Sequence, residues 1–485
     1  MDNKYTQAAR TFLTLLAACL MVVISPHAAE GAPLFLGSTV ALGSDQSDNI
    51  DKAMKVIFED PVSENMVTDS ELLDLFEEDN NVQTETTTGG RYITLAHYFQ
   101  LPAGVGARSE NDYIPVPEGP VIENSRIDLR KIMGTVEMTG DTMRRCKAGI
   151  GAFLDWGSRA MPDLVERVNH ERDRMLVGYG TGVKARVNGA PALVSGKYEV
   201  TIDSSFGVAG YTDAVLNFME GERSVFSPNP DGSALRSAGA SQSAKLVKVD
   251  QKNSKLIFDS LPAGVVDNDF LFAGDASGAS VPTAAGQDRE IMGLLGMIDD
   301  AQILVQFQGL NRNDYTLWNS ISVDAQDPAL GPWNTGALNE DVLCYADDET
   351  RIYGGGRVSV LVTSVSGTRS YWRSRKDEPT THRTLDPRNV TGGRGRLKIL
   401  LGDREVELRS IRKLPPQLCF GLSPSTLKRW QLKGWEWDNT TGSVWRQVTD
   451  GVGRKDAFYA YGYWHGQTGC IAPRKNFVIR NLLRS

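Results

Sequence analysis

Between residues 92 and 139 the side chains alternate with period two, twice over. The two runs are separated by a stretch suited to neither helix nor strand. Ile93, Leu95, His97, Phe99 and Leu101 alternate with Tyr92, Thr94, Ala96, Tyr98 and Gln100, the mark of a half-buried strand. A second run places Ile127, Leu129, Lys131 and Met133 on one face, and Val136 and Met138 extend it past Gly134. Pro102 to Pro120 lies between them and holds Gly104, Gly106, Pro115 and Pro117. This predicts a long two-stranded arm with an extended tip. An isolated ribbon is marginal in water. The arm therefore needs a partner, in the same chain or in another.

The segments before the arm share that need. Ile50, Met54, Ile57 and Phe58 give residues 48–59 one apolar helical face, and Pro61 ends it. Thr68-Asp-Ser-Glu71 is a capping-box signature ahead of Leu72, Leu73, Leu75 and Phe76. Two such short helical pieces gain stability mainly by docking.

After the arm the text changes. Met161, Leu164, Val165, Val168, Arg172, Met175 and Leu176 repeat with helical spacing. They predict a helix over 150–177, with a kink at Pro162 or a start near Ser158. Gly178-Tyr-Gly-Thr-Gly182 stops it. Residues 185–285 read as β, with a hairpin of Lys245–Asp250 and Lys255–Phe258 and a strand at Phe270–Phe272. Ile291, Leu294, Leu295 and Ile298 suggest a helix over 288–302, and 338–345 a shorter one. Strands are expected at 358–363, 397–401 and 406–408, with a polar, Arg-rich, mobile loop over 367–396. Five of the nine Trp, at 430, 435, 437, 445 and 464, fall in the last β-region.

Charge is unevenly spread. Residues 351–485 hold 25 Lys+Arg against 10 Asp+Glu. With −8 overall, the first 350 residues carry −23. Twelve acids and only Lys52 and Lys55 lie between Asp45 and Asp79. Opposed halves suit a contact between copies, or are simply two solvated faces. An acidic total argues against a chain built mainly to coat nucleic acid. Cys19, Cys146, Cys344, Cys419 and Cys470 are scattered and odd in number, so neither a zinc site nor a disulfide framework is expected. Lys4 and Arg10 ahead of the apolar run Phe12–Ser25, with Ala28, Ala29 and Ala32 after it, look like a secretory leader or an upstream start.

Catalytic signatures are missing. Gly178–Gly182 follows a helix, not a strand, and has no Lys-Ser/Thr, so it is no nucleotide loop; Gly196-Lys197-Tyr198 is no P-loop. His170-Glu171 lacks the second histidine of a zincin, because position 174 is Arg. His97 reads as a satisfied interior histidine, and Asp299-Asp300 as a solvated carboxylate pair on a helix. The Trp-rich tail with Lys428, Arg429, Arg454 and Lys455 is a candidate platform for sugars or bases, though late-strand aromatics are more often core. No catalytic, cofactor-binding or metal-binding residue is assigned, and no cofactor is expected.

The order of these elements resembles the major capsid proteins of tailed bacteriophages, which share the Hong Kong 97-type fold. Glu71-Leu-Leu-Asp-Leu-Phe76 is similar to the family's N-terminal arm. Gly90-Arg-Tyr-Ile93, Gly106-Ala-Arg108 and Ile127-Asp-Leu129 resemble its extended loop. Glu171 to Gly182 resembles the end of its spine helix, Gly293 to Asp299 the start of its axial domain, and Pro473–Asn476 with Val478-Ile479 its closing strand. The ordered series, over about 50–485, carries the resemblance.

The resemblance implies an α+β chain in seven parts. These are a leader-like segment 1–33, an N-terminal arm 34–84, an extended β-hairpin loop 85–140, and a spine helix of the peripheral domain 141–189. A β-rich insertion 190–286, an axial domain 287–410 and peripheral-domain strands 411–485 follow. It implies a non-enzymatic, self-assembling coat subunit that forms hexamers and pentamers of an icosahedral head. Scaffold, portal and head-decoration proteins are implied partners, with packaged double-stranded DNA held non-specifically and no membrane. The location implied is the virion, assembled in the host cytoplasm. Some family members crosslink a loop Lys to an Asn; no Lys lies between Lys55 and Lys131, so no such covalent rings are expected here. The leader-like run departs from the family. Two rivals stay open: an encapsulin-like nanocompartment shell, and a secreted β-rich glycan-binding protein.

Overall fold

The computed structural model describes residues 72–79, 92–140, 150–236, 243–274, 289–376, 397–440, 442–449 and 453–484. The leader-like run, the 48–59 helix and the Thr68–Glu71 box lie outside them. The chain is α+β. In order, the strands are β1 (Glu77–Glu78), β2 (Tyr92–Gln100), β3 (Val121–Asp128) and β4 (Arg130–Thr139), followed by helix α1 (Ile150–Val177). Then come β5 (Val183–Val187), β6 (Ala192–Val194), β7 (Lys197–Asp203), β8 (Arg223–Ser227), β9 (Ser243–Asp250), β10 (Lys255–Phe258) and β11 (Phe270–Gly274). The one-turn helix α2 (Leu294–Met297), β12 (Gln306–Phe307), β13 (Leu310–Asn311), β14 (Ile321–Asp324) and helix α3 (Glu340–Glu349) follow. The last part holds β15 (Val360–Ser364), helix α4 (Val365–Lys376), β16 (Leu397–Leu401), β17 (Arg404–Ile411), β18 (Cys419–Leu422), β19 (Leu427–Trp437), β20 (Arg446–Thr449), β21 (Arg454–Cys470) and β22 (Phe477–Arg480).

Strands β2 and β3 form the expected ribbon, in register from Tyr92↔Asp128 to Gln100↔Val121. The second alternating run, however, is two strands. β3 pairs with β2, while β4 leaves the ribbon and pairs with β21 from Arg130↔Gly466 to Thr139↔Ala457. The break at Leu129 shifts the phase by one residue. Ile132, Gly134 and Met138 face inward, while Lys131 and Met133 face out. A slip of one residue exchanges the two faces of a strand, which is why the expected Lys131/Met133 face was inverted. Helix α1 packs on the sheet where β4 has Gly134; a Cβ there would lie 3.1 Å from Val168 and 3.2 Å from Leu164. The helix runs from Ile150 through Pro162, rather than starting near Ser158.

Strands β5 and β7 to β11 close on themselves. β10 pairs with both β9 and β7, β7 with β5, β5 with β11, β11 with β8, and β8 with β9, all antiparallel. The result is a six-stranded barrel, with β6 added beside β7. Its interior is packed with Val200, Phe226, Leu246, Leu256, Phe258 and Leu271, each fully buried. Small barrels are filled by their own side chains in this way. The barrel's first strand, Val183–Val187, comes from the stretch counted above with the spine helix.

A six-stranded mixed sheet, ordered β14-β22-β18-β15-β17-β16, forms the other large core. Val342, Leu343 and Ala346 of α3 and Tyr371 of α4 join Ile399, Leu408, Phe477 and Ile479 in one cluster. Asn339 caps α3 by accepting from Val342 N at 2.9 Å. The expected loop from 367 onward begins as helix α4, and its remainder lies outside the described residues.

The helix expected over 288–302 is only the single turn of α2. Residues 293–299 are buried on every side, so their spacing reflects complete burial rather than one amphipathic face. Gly293 lies directly over the end of α1, where a Cβ would come 2.3 Å from Met175 O and 2.4 Å from Gly178 O. Asp299 is fully buried rather than a solvated helix carboxylate. It accepts from Ile303 N at 3.0 Å, Leu304 N at 2.8 Å and Arg480 Nη2 at 2.5 Å, with Arg312 Nη1 at 3.4 Å.

Candidate assembly interface

The foot of the arm is tied down and its tip is not. Ile93 and Ile127 pack on Trp430, with Leu95, Leu129 and Ile471 around them. Arg126 N donates to Gln308 O at 2.7 Å. Phe99 lies 4.7 Å from the Tyr315 ring and 6.0 Å from Trp318. His97, as expected, is satisfied: its Nε2 pairs with Ser125 Oγ at 2.8 Å and its ring sits 4.6 Å from Trp318. Burial lowers its pKa, favouring the neutral ring.

Beyond Gln100 the chain leaves the body. Leu101, Val105, Tyr113, Ile114 and Val116 are 78–97% exposed. The two sides of the tip are joined by Glu118 N donating to Ala103 O at 3.1 Å. Gly104 has φ +116°, and a Cβ there would lie 2.9 Å from Val116 O, so glycine lets the two sides approach. Burying one such apolar side chain is worth roughly 1.5–3 kcal/mol. Five such side chains exposed on one tip make it the candidate interaction surface of the chain.

The N-terminal piece is already docked. Leu72, Leu73, Leu75 and Phe76 are buried; a 3₁₀ turn over Leu73–Leu75 leads into β1, where a helix was expected. β1 adds in parallel to β19, Glu77 opposite Lys428 and Glu78 opposite Arg429. Both pairs form salt bridges, Arg429 to Glu78 at 2.8 Å. Trp430 Nε1 donates to Asp79 at 3.2 Å. Here the acidic front meets the basic end within one chain.

A buried ionic cluster joins α1 to the barrel. Arg174 pairs with Glu171 at 2.9 Å and with Glu290, and Lys184 pairs with Glu171 at 2.7 Å and Glu222 at 3.1 Å. Three carboxylates share two cations. Burial opposes the charge of Glu171, but Lys184 and Arg174 outweigh it and hold that carboxyl far below the usual range. Burial pushes Glu222 up despite Lys184, and its Oε1 has no hydrogen-bond partner. Of the three carboxyls, Glu222 is the one whose neutral form burial favours. Nearby, burial lowers Lys413 to about 7 and His170 to about 4. His170-Glu171 thus belongs to a structural cluster.

The five tail tryptophans are all buried, from 1% exposed at Trp430 to 8% at Trp435. They present no open ring face and are core aromatics, as late-strand tryptophans more often are, rather than the candidate stacking platform. Gly178 to Gly182 ends α1, Gly180 and Gly182 having φ +81° and +83°. Among the described residues no group of three His, Cys, Asp or Glu is placed to hold a metal, and no helix is long and apolar enough to cross a membrane. Sequence reasoning missed the ionic cluster, because its members lie as far apart as Glu171 and Glu290.

No protein-family model matches the sequence, and no curated protein matches it. Solved structures do. The capsid asymmetric unit of cyanophage A-1(L) is 10% identical, with a TM-score of 0.44, over 85% of this chain and 93% of that one. The capsid of a native GTA particle is 10% identical with a TM-score of 0.38, over 95% of each chain. The capsid of the Myoviridae phage XM1 is 8% identical with a TM-score of 0.39, over 85% and 91%.

Proposed function

We propose that this chain is a major capsid protein of the Hong Kong 97 type, the coat subunit of a tailed DNA phage or prophage. It is a structural protein that assembles as hexamers and pentamers of an icosahedral head around the genome. The observation that carries this reading is the arm: a ribbon anchored at its foot, whose apolar tip is left uncovered by the described residues. A neighbouring copy is the natural cover, because symmetric assemblies reuse one surface many times. The docked N-terminal strand supports it too, since strand addition is an economical way to join extended segments.

In this reading 34–84 is the N-terminal arm, 85–140 the extended loop, 141–189 the spine helix and 190–286 an inserted β-domain. Residues 287–410 are then the axial domain and 411–485 the closing peripheral strands. Its location is the virion. Scaffold, portal, decoration proteins and packaged DNA are partners it would meet there. Negative-stain electron microscopy of the expressed chain tests this. Shells or heads are expected; small cargo-filled shells would turn the reading to a nanocompartment, and monomers under all conditions would sink both.

A further inference from the structure

We infer that the outward stripe of α3 in one copy mates with the outward stripe of α4 in the next. This rests on the self-assembly proposed above and names one of its contacts. Asp341, Tyr345 and Asp348 fall at i, i+4 and i+7 on α3, and Ile352 follows in the π-turn Thr350–Gly354 that continues it. All four are exposed, Ile352 by 70%. On α4, Val365, Arg369, Trp372 and Arg373 fall at i, i+4, i+7 and i+8, and all are exposed, Trp372 by 52%. One stripe is acid and apolar, the other base and apolar. At 1.5 Å per residue they span about 16 Å and about 12 Å, similar lengths.

Among the described residues of one copy neither stripe is covered. The inner faces of both helices enter the same core. Asp347, buried beside Asp348, is held by Arg351 at 3.1 Å and Arg404 at 2.5 Å. Among the described residues Asp341, Asp348, Arg369 and Arg373 have no ion pair. Asp348 and Glu349 also end α3, where the helix dipole disfavours negative charge; an arginine brought by a neighbour relieves this. α3 on α3, or α4 on α4, would set like charges together. The match is therefore head-to-tail, the kind of contact that closes into a ring when its rotation permits.

Charge reversal tests it. Asp341→Lys with Asp348→Lys, or Arg369→Glu with Arg373→Glu, is expected to lower the assembled fraction at least about tenfold, because facing like charges are costly. All four changes in one chain should restore it to within about threefold. Sedimentation reads assembly, and circular dichroism melting of the unassembled subunit checks its fold. Either pair assembling like the unaltered chain, or the fourfold variant remaining as defective as the pairs with normal melting, would overturn the inference. Should a reversal unfold the subunit, the unaltered chain decides. Its assembly should weaken near 1 M salt, where the screening length is about 3 Å, and more so with Asp341→Asn and Asp348→Asn. Indifference to both would overturn the inference. If the unaltered chain never assembles, the shell reading falls and this contact falls with it. If it assembles and ignores the reversals, only this contact fails.

Discussion

The barrel and the arm are both antiparallel β, and they solve the problem of a sheet edge in opposite ways. In the barrel, β10 bonds to β9 on one side and β7 on the other. Closure removes the edges and fills the interior with buried side chains such as Leu256 and Phe258. Among the described residues the arm has two strands, no third strand on either edge, and a tip whose large apolar residues face solvent. The barrel's apolar residues stabilise the subunit that carries them. Those of the arm tip are exposed and contribute little to the fold that carries them. In the proposed reading, similar composition serves folding in one region and association in the other, and topology decides which.

Breaking the arm tip should give the largest effect. Val105→Asp with Ile114→Asp is expected to abolish assembly in sedimentation and electron microscopy. The melting of the subunit should shift by no more than about 0.5 kcal/mol, as for exposed sites in general. The barrel should behave in reverse. Phe258→Ala deletes a fully buried ring packed 5.6 Å from Phe226, and denaturant unfolding should show a loss of about 3–5 kcal/mol. If the tip substitution destabilises the subunit as much as Phe258→Ala does, the contrast between the regions is wrong.

The smallest effect belongs to the junction between barrel and helix. The folded pKa of Glu222 is raised by burial. Its share of stability is therefore present at low pH and is lost as pH rises from the ordinary glutamate range through the raised value. Glu222→Gln should remove that dependence and melt at most about 2 °C higher at neutral pH. A Glu222→Gln variant with the wild-type pH profile would show that Glu222 does not set this dependence. Below it, acidification works the other way at His170, whose lowered pKa of about 4 makes the fold lose stability as pH falls from about 6.5 through 4.

Much of the architecture was legible where neighbours in sequence are neighbours in space. Alternation at Ile93, Leu95, His97 and Phe99 located β2, and the spacing of Val165, Val168 and Leu176 located α1. Legibility failed where burial or register is set from a distance. Ile291 to Ile298 kept helical spacing because every side of the segment is covered, by the end of α1 and by Arg312 and Arg480. Met133 was assigned to the wrong face because the break at Leu129 depends on β21, more than 300 residues away in sequence. Closure of the barrel was invisible for the same reason: the hairpin β9–β10 reads plainly, whereas the bond from β10 to β7 has no local signature. The arm was the most legible part of the candidate interface, since an uncovered tip is a property of its own sequence. The α3 and α4 stripes needed the fold to show which helical faces point outward.

The barrel's entry and exit strands are hydrogen-bonded neighbours, with Phe272 opposite Val183 and Phe270 opposite Arg186. Adjacent strands lie about 4.8 Å apart. For the rest of the chain, the whole stretch from Val183 to Gly274 therefore begins and ends at nearly one point, like a short turn. Its loops can lengthen, shrink or change character without moving α1 or α2. A subunit made this way can vary what it carries while the geometry of its attachment stays fixed.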